Sequence, residues 1–256
     1  MPKAFLSHCS KDKKIVLQVM DYFERSLVKT WLDEEEIPGG GKLTEEIIAG
    51  INDCKYFLPF ISNYSINSSW CMDELNVAYS SFQKEENVII PVLLTERNNL
   101  ELNSLSEGKK KFLESLLQRT RYVEFDEHDI PKSLQRIAES LWKNELVKFN
   151  PIEVITINEI DIQLINFQIE NLPSDFLKSW DFDMNDFVGP RHGDQPVLKR
   201  NLPVAFNGKG PNWLFSYFTI PFKNLNDVFL YNNVSSDYIC VYSLKKDRLG
   251  KVLKPE

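Results

Sequence analysis

The sequence predicts an α/β chain in two parts: a doubly wound, parallel five-stranded sheet over residues 1–148, then a small α+β domain over residues 149–256. Three observations carry this expectation. Short apolar runs alternate with helix-period segments as far as residue 146, the pattern of a parallel sheet covered by helices. After Phe149-Asn150-Pro151 the apolar period changes to two, as in half-buried strands. A length of 256 residues, 43% of them hydrophobic, is enough for two cores.

In the first part the strand runs are KAFLSH, TWLDEE, YFLPFIS, NVIIPVLL and TRYVEF. Each is too short for a helix of ordinary length. Between them the apolar residues recur at helical spacing over Lys13 to Lys29, Thr44 to Cys54, Ser69 to Lys84, Lys109 to Gln118 and Pro131 to Leu146. Five strands and five helices in strict alternation give a flavodoxin-like sheet, whose ligands sit beyond the carboxyl ends of the strands. In the second part IEVITINEI and IQLINFQIE alternate as strands. LPVAFNGKGPNWLFSYF reads as strand, glycine turn and helix; DVFLYNN and DYICVYSL read as two more strands. Asp181 to Lys199, rich in Asp, Gly and Pro, reads as a long loop.

The composition removes several function classes. Thirty basic against 37 acidic residues give a net charge of −7, which excludes coating long nucleic acid or an anionic membrane through bulk charge. No apolar run approaches the roughly 18 residues of a spanning helix, and MPKAFLSHCSKDKK lacks a signal-peptide core. Cys9, Cys54, Cys71 and Cys240 form no CxxC pair, and His8, His128 and His192 offer no metal-ligand spacing. These point to reduced thiols in a cytoplasmic protein with no metal and no membrane partner. The charge is uneven: ten basic against five acidic residues follow Pro190. That local excess suits either an anionic ligand or an ordinary solvated surface.

NSSWCMDELNVAYSSF, Asn67 to Phe82, places two adjacent carboxylates in the opening turns of a helix. At about 100° per residue, Leu75, Ala78 and Phe82 share the face of Cys71. Glu74 falls at the margin of that face, partly desolvated, one turn after Trp70. Asp73 faces solvent and can serve the helix dipole. Both acids can equally be plain decoration of a helix start. Trp70 suits stacking on a ring as well as packing. Cys71 lies in the core stripe with no histidine near it in sequence to activate it. Asp33 ends the second strand, and Gly39-Gly40-Gly41-Lys42 follows as either a movable loop with a phosphate-seeking lysine or a surface turn. Ser7, His8 and Cys9 end the first strand.

FLSHCSKD, WLDEEEIPGGGKLTEEIIAGI and SSWCMDEL, in this order and spacing, together resemble the Toll/interleukin-1 receptor (TIR) domain family over residues 1–146. In the enzymatic branch of that family the glutamate four residues after the tryptophan is the essential acid of an NAD+ glycohydrolase; that position is Glu74. The resemblance further implies substrate-binding positions at Ser7, His8, Asp33, Gly41, Lys42 and Trp70, NAD+ as substrate rather than cofactor, and homo-oligomers or filaments in which a neighbouring copy completes the site. The first strand departs from the family in lacking an aromatic-acidic lead. Other TIR domains are non-catalytic scaffolds, and others cyclise ADP-ribose.

AFNGKGPNWL, Ala205 to Leu214, joins a strand to a helix through Gly208-Lys209-Gly210, with Pro211 expected as the first helical residue. Such a helix start brings amides close to an anion, or is simply a tight turn. It lacks GxxxxGK[ST] spacing and is not a P-loop. The stretch resembles a small CRISPR-associated family, related to CARF sensor domains, whose members bind cyclic oligoadenylates. The resemblance implies activator contacts at Asn207, Gly208, Lys209, Gly210, Pro211, Asn212 and Trp213, and cyclic tetra-adenylate as the favoured ring. The family's nuclease members carry a histidine and an Asp-Pro-Arg-like element after this helix; neither is present, so binding without cleavage is expected.

Overall fold

The structure, a computed structural model, describes residues 2–32, 45–82, 87–173, 176–180, 187, 197–222 and 227–255. The chain divides into two compact units, Pro2–Phe23 with Val28–Glu145, and Glu24–Leu27 with Leu146–Glu256.

The first unit alternates strand and helix: β1 (Lys3–Ser7), α1 (Lys13–Arg25), β2 (Lys29–Leu32), α2 (Glu45–Asp53), β3 (Tyr56–Ile61), α3 (Ser69–Phe82), β4 (Val88–Ile89), β5 (Val92–Leu93), α4 (Glu107–Arg119), β6 (Val123–Glu124) and α5 (Ile130–Trp142). The strand order is β2-β1-β3-β5-β6 with β4 also on β3, and every pairing is parallel. β4 and β5 are the halves of the run NVIIPVLL, parted where Pro91 has no N–H to give the ladder. All six residues of β3 are buried, as a central parallel strand requires. Phe5 stacks on Trp31 and Phe57 at ring separations of 4.6 and 5.4 Å, tying the three neighbouring strands on one face.

α1 stops at Arg25 rather than running to Lys29. Leu27 takes φ 57°, and the Val28 amide donates back to the Phe23 carbonyl at 2.9 Å, closing the helix with a left-handed residue. α5 likewise ends at Trp142, short of Leu146. Its start is fixed by Pro131 in the first turn and by Asp129, whose carboxylate accepts from the Lys132 amide at 3.3 Å.

The second unit holds β7 (Val147–Phe149), β8 (Glu153–Ile157), β9 (Ile160–Ile169), α6 (Phe176–Ser179), β10 (Val204–Asn207), α7 (Asn212–Thr219), β11 (Val228–Asn232), β12 (Asp237–Tyr242) and β13 (Val252–Leu253). The sheet order is β13-β12-β11-β10-β9-β7, with β8 on β9. β9, β10 and β11 are parallel to one another, and the flanking pairs are antiparallel. β8 and β9 form a hairpin whose turn residues, Asn158 and Glu159, have φ 51° and 63°, the conformation that matches strand twist. Phe149 pairs with Phe167 and Glu153 with Leu164, so Asn150-Pro151-Ile152 oppose two residues and form a one-residue bulge.

β7 and β13 have three and two residues and were not expected, since runs so short carry no measurable period. Most of Asp181 to Lys199 lies outside the described residues. Of that segment Phe187 and Leu198 are buried, joined by an amide-to-carbonyl bond of 2.9 Å. The next stretch is pinned by buried Gln163. Its amide donates to the carbonyls of Lys199 and Leu202 at 3.0 and 3.2 Å, and its oxygen accepts from the Lys199 amide at 2.6 Å.

Candidate functional site

The turn leading into α3 is built by serines. Ser62 Oγ accepts from the Tyr64 and Ser65 amides, both at 3.1 Å, and donates to Asp12 at 2.6 Å; Ser65 Oγ accepts from the Ser62 amide at 2.9 Å. Short hydroxyls on neighbouring amides fix such turns without secondary structure. α3 therefore leaves the carboxyl end of β3 in a set direction and brings Glu74 to the carboxyl end of β1.

There Ser7 Oγ donates to Glu74 Oε2 at 2.5 Å, and Trp70 Nε1 donates to Glu74 Oε1 at 3.0 Å. Bonds of this kind to an ionised carboxylate are roughly twice as strong as neutral ones and hold the group in one orientation. Glu74 is 1% exposed. It was expected at the margin of the buried face and instead lies inside it. α3 contacts α2, β1, β3 and β4, so its buried arc runs through Met72, Glu74 and Ser81 as well as Cys71, Leu75 and Ala78, about half the helix circumference. Asp73 is exposed, as its position on the wheel required.

Around this pair the structure places further polar groups. Asp12 is buried, and desolvation raises its carboxyl above the ordinary value against the opposing Ser62 bond. The Cys71 thiol is pushed up to about 12 by burial; the Ser68 bond opposes this, and the charges of Glu74, Cys9 and Asp12 add to it. A thiol held there has almost no thiolate at neutral pH, consistent with its core position. Trp70 also packs against the core cluster containing Met72 and Leu75. His8 is half-buried, with Nδ1 3.3 Å from the Leu6 carbonyl oxygen. Asp33, Gly41 and Lys42 lie outside the described residues.

The second nominated motif lines a cleft of about 730 Å³ at the carboxyl ends of β9 and β10. Asn207, Gly208, Lys209, Gly210 and Pro211 line it together with Asn150, Asn166, Phe167, Gln168, Ile169 and Asn233. Gly208 is required by packing: a Cβ there would sit 2.6 Å from the Phe167 carbonyl oxygen and 2.7 Å from its ring. Pro211, with ψ 150°, is the N-cap and not the first helical residue; α7 begins one position later. Asn212 lines a separate groove of about 540 Å³ with Phe215, Tyr231 and Tyr242. Trp213 lines neither and is 38% exposed. Among the described residues the cationic excess of the last third does not gather at the cleft, where Lys209 is the one charged lining residue. Arg248 pairs instead with Asp227 at 2.5 Å.

Residues 4–138, just over half of the chain, match the profile of the TIR domain. The chain belongs to the TIR-domain family. Toll-like receptor 13 of Mus musculus is 25% identical over 154 residues, 57% of this chain and 15% of that protein, so the chain spans under a sixth of that relative's length. Among solved structures, the TIR domains of the activated Roq1 resistosome, which directly recognises the pathogen effector XopQ, align with a TM-score of 0.48 and 16% identity, covering 55% of this chain and 99% of that chain. The TIR domain of the Toll-related receptor TRR-2 from Hydra magnipapillata aligns with a TM-score of 0.39 and 16% identity, covering 55% and 98%.

Within the TIR domain, Ser7, Trp70 and Glu74 are brought into direct contact, although Ser7 and Glu74 are 67 positions apart. Among the described residues no cluster of three or more His, Cys, Asp or Glu is arranged to hold a metal, and no helix is long and apolar enough to cross a membrane. Sequence reasoning did not nominate Asp12 or Ser62, which anchor the turn before α3, nor the amide residues Asn150, Asn166, Gln168 and Asn233. Asn207 closes its strand, VAFN, and that is a signal the sequence offers; Asn166 lies inside β9, three residues before its end, and carries no such signal.

Proposed function

We propose that this chain is an NAD+ glycohydrolase gated by a cyclic oligoadenylate, acting in CRISPR-linked antiviral defence by consuming NAD+. The single observation that supports the catalytic part is the buried Glu74 carboxylate in the WCMDEL motif of a TIR domain, clamped by Ser7 and Trp70 at the carboxyl end of β1. In NAD+ the bond from ribose to nicotinamide breaks with the electron pair leaving on the ring nitrogen, which turns a cationic pyridinium into neutral nicotinamide. No acid is needed to protonate that leaving group, unlike the oxygen of ordinary glycosides. The sugar becomes cation-like, and a fixed carboxylate beside it offsets the growing charge, an effect worth about 10²–10³ in rate. Water then bonds to the anomeric carbon and loses a proton, giving ADP-ribose.

In this reading Ser7 and Trp70 orient Glu74, and Asp33, Gly41 and Lys42 contribute to the substrate side. The second unit is the CARF-like sensor, taking cyclic tetra-adenylate through Asn207 to Trp213 and holding it without cleavage. A symmetric ring suits a symmetric interface, and gating follows if the ring binds assembled protomers better than free ones. NAD+ and the ring are the two small-molecule partners, homo-oligomers or filaments the active state, and the cytoplasm the site of action.

The 1% exposure of Glu74 also favours a second reading, a non-catalytic scaffold in which the acid only braces α3. Incubating the protein with NAD+, with and without cyclic tetra-adenylate, and measuring nicotinamide release separates the two. Release that needs the ring and is lost in Glu74→Gln is expected. Equal release from Glu74→Gln removes the catalytic assignment, and no release under any condition leaves the scaffold. Chromatography of the product distinguishes ADP-ribose from its cyclised form.

A further inference from the structure

The chemistry of the cleft in the second unit is dominated by amides. Of its eleven described lining residues five are Asn or Gln, and Lys209 is the one of them that is charged. A site for phosphates alone would be lined by cations and backbone N–H groups. This one has a single loop of that kind, Gly208-Lys209-Gly210, beside a wall of neutral groups that both donate and accept.

Two of those groups are already joined. Asn166 and Asn207 are register partners on the parallel strands β9 and β10, and Asn207 Nδ2 donates to Asn166 Oδ1 at 2.9 Å. The Asn150 amide donates to the Asn166 carbonyl at 2.9 Å, which holds the backbone of the pair where the bulge begins. The side-chain bond uses one N–H of Asn207 and the oxygen of Asn166. It leaves Asn207 Oδ1 as an acceptor and Asn166 Nδ2 as a donor, on two half-buried residues that line the same cleft. Adenine presents the complementary edge, an N6–H donor next to a ring-nitrogen acceptor, and amide side chains pair with it in a bidentate manner. Neighbouring Phe167, whose ring lies on the other face of β9, is confined by Gly208 and by edge contacts to Phe215 and Phe218, so the strand that carries Asn166 is held firmly.

We infer that the hydrogen-bonded Asn166–Asn207 pair reads the 6-amino edge of an adenine base and sets the base specificity of this cleft. The inference rests on the sensor reading above and adds the residues that select the base. The β9–β10 ladder fixes the backbone of the pair before any ligand arrives, so recognition needs no rearrangement of the sheet.

The test pairs one functional group with one side chain, in the manner of a double-mutant cycle. Binding of cyclic tetra-adenylate, and of the corresponding ring of purine nucleotides lacking the 6-amino group, is measured by calorimetry on the full chain and on Asn207→Ala. The unaltered protein is expected to prefer the adenine ring by roughly 5- to 150-fold. In Asn207→Ala that preference falls to near unity while the deaminated ring binds as before, which also shows that the cleft is still folded. Asn207→Leu, close in volume, provides the same reading if the alanine variant does not fold. A full preference retained by the variants overturns the inference. Failure of the unaltered protein to bind either ring overturns the sensor reading instead.

Discussion

The Ser7 hydroxyl donates to Glu74 Oε2 at 2.5 Å, joining the last residue of β1 to the second turn of α3. Trp70 holds the other oxygen from one turn earlier on the same helix. Removing either donor leaves Glu74 in place but lets the carboxylate turn. We expect Ser7→Ala and Trp70→Phe each to lower kcat for NAD+ cleavage about 10- to 100-fold, the rate equivalent of one charge-assisted hydrogen bond. KM should change much less. Steady-state nicotinamide release measures both; a loss confined to KM would make Ser7 a ground-state contact rather than an orienting one.

Asp12 makes stability depend on pH. Burial raises its carboxyl above the ordinary 3.8, so the folded chain keeps that proton to higher pH than the unfolded chain does. Its contribution is complete below about 3.8 and is lost as pH rises through the folded value. The urea midpoint should therefore carry a component that falls as pH climbs from that point. Asp12→Asn, which still accepts the Ser62 hydroxyl, should abolish it. An unchanged slope in the variant would mean that Asp12 titrates normally.

Cys71 should be inert. With its thiol pushed up to about 12, alkylation by iodoacetamide at pH 8 should be far slower than for an ordinary exposed thiol. Cys71→Ala should keep NAD+ cleavage within about twofold and lose about 1 kcal/mol of stability through the small void. Peptide mapping after timed alkylation gives the rate, and rapid labelling of Cys71 in the folded chain would contradict its placement.

Gly208→Ala should damage the second unit. The added methyl has no room between the Phe167 carbonyl and ring, so backbone must shift at a cost of about 1–3 kcal/mol. Cyclic tetra-adenylate binding should be lost with it. Thermal unfolding and calorimetry report the two effects, and wild-type binding by the variant would show that the loop is looser than its contacts indicate.

The second unit should also depend on Gln163, which satisfies two carbonyls and one amide of the segment before β10. Gln163→Leu keeps most of the volume and leaves those groups unpaired, so we expect a destabilisation of about 2–4 kcal/mol. Chemical denaturation of the full chain is the measurement, and a change under about 0.5 kcal/mol would mean that water replaces the side chain.

The parts of the fold that were legible in the sequence are those with a period. β1, β3 and the split pair β4 and β5 stand where apolar runs of β-branched and aromatic residues stand, and the helices between them follow their apolar spacing to within a few residues. Ends were less legible, because the left-handed Leu27 that closes α1 is a residue type that does not announce such a turn. At the site, Glu74, Trp70 and Ser7 could be nominated from motif and strand end. The bond from Ser7 to Glu74 could not, since a contact across 67 positions depends on the sheet order and on the serine turn before α3. The depth of Glu74 was misjudged for a related reason: a helical wheel describes one helix, whereas burial counts every element packed around it. The Asn166–Asn207 pair was hidden because only the register of β9 against β10 makes these residues neighbours.

Phe167 gives the second unit a constraint of inheritance. Its carbonyl and ring leave no space for a side chain at position 208, while its ring edges meet Phe215 and Phe218 of the adjoining helix. A lineage that replaced Gly208 would have to shift the backbone at the Phe167 carbonyl as well as shrink or turn the ring, and either change would loosen the aromatic stack behind. The two positions should therefore drift together or not at all, so an alignment of descendants is expected to show glycine at 208 wherever an aromatic persists at 167.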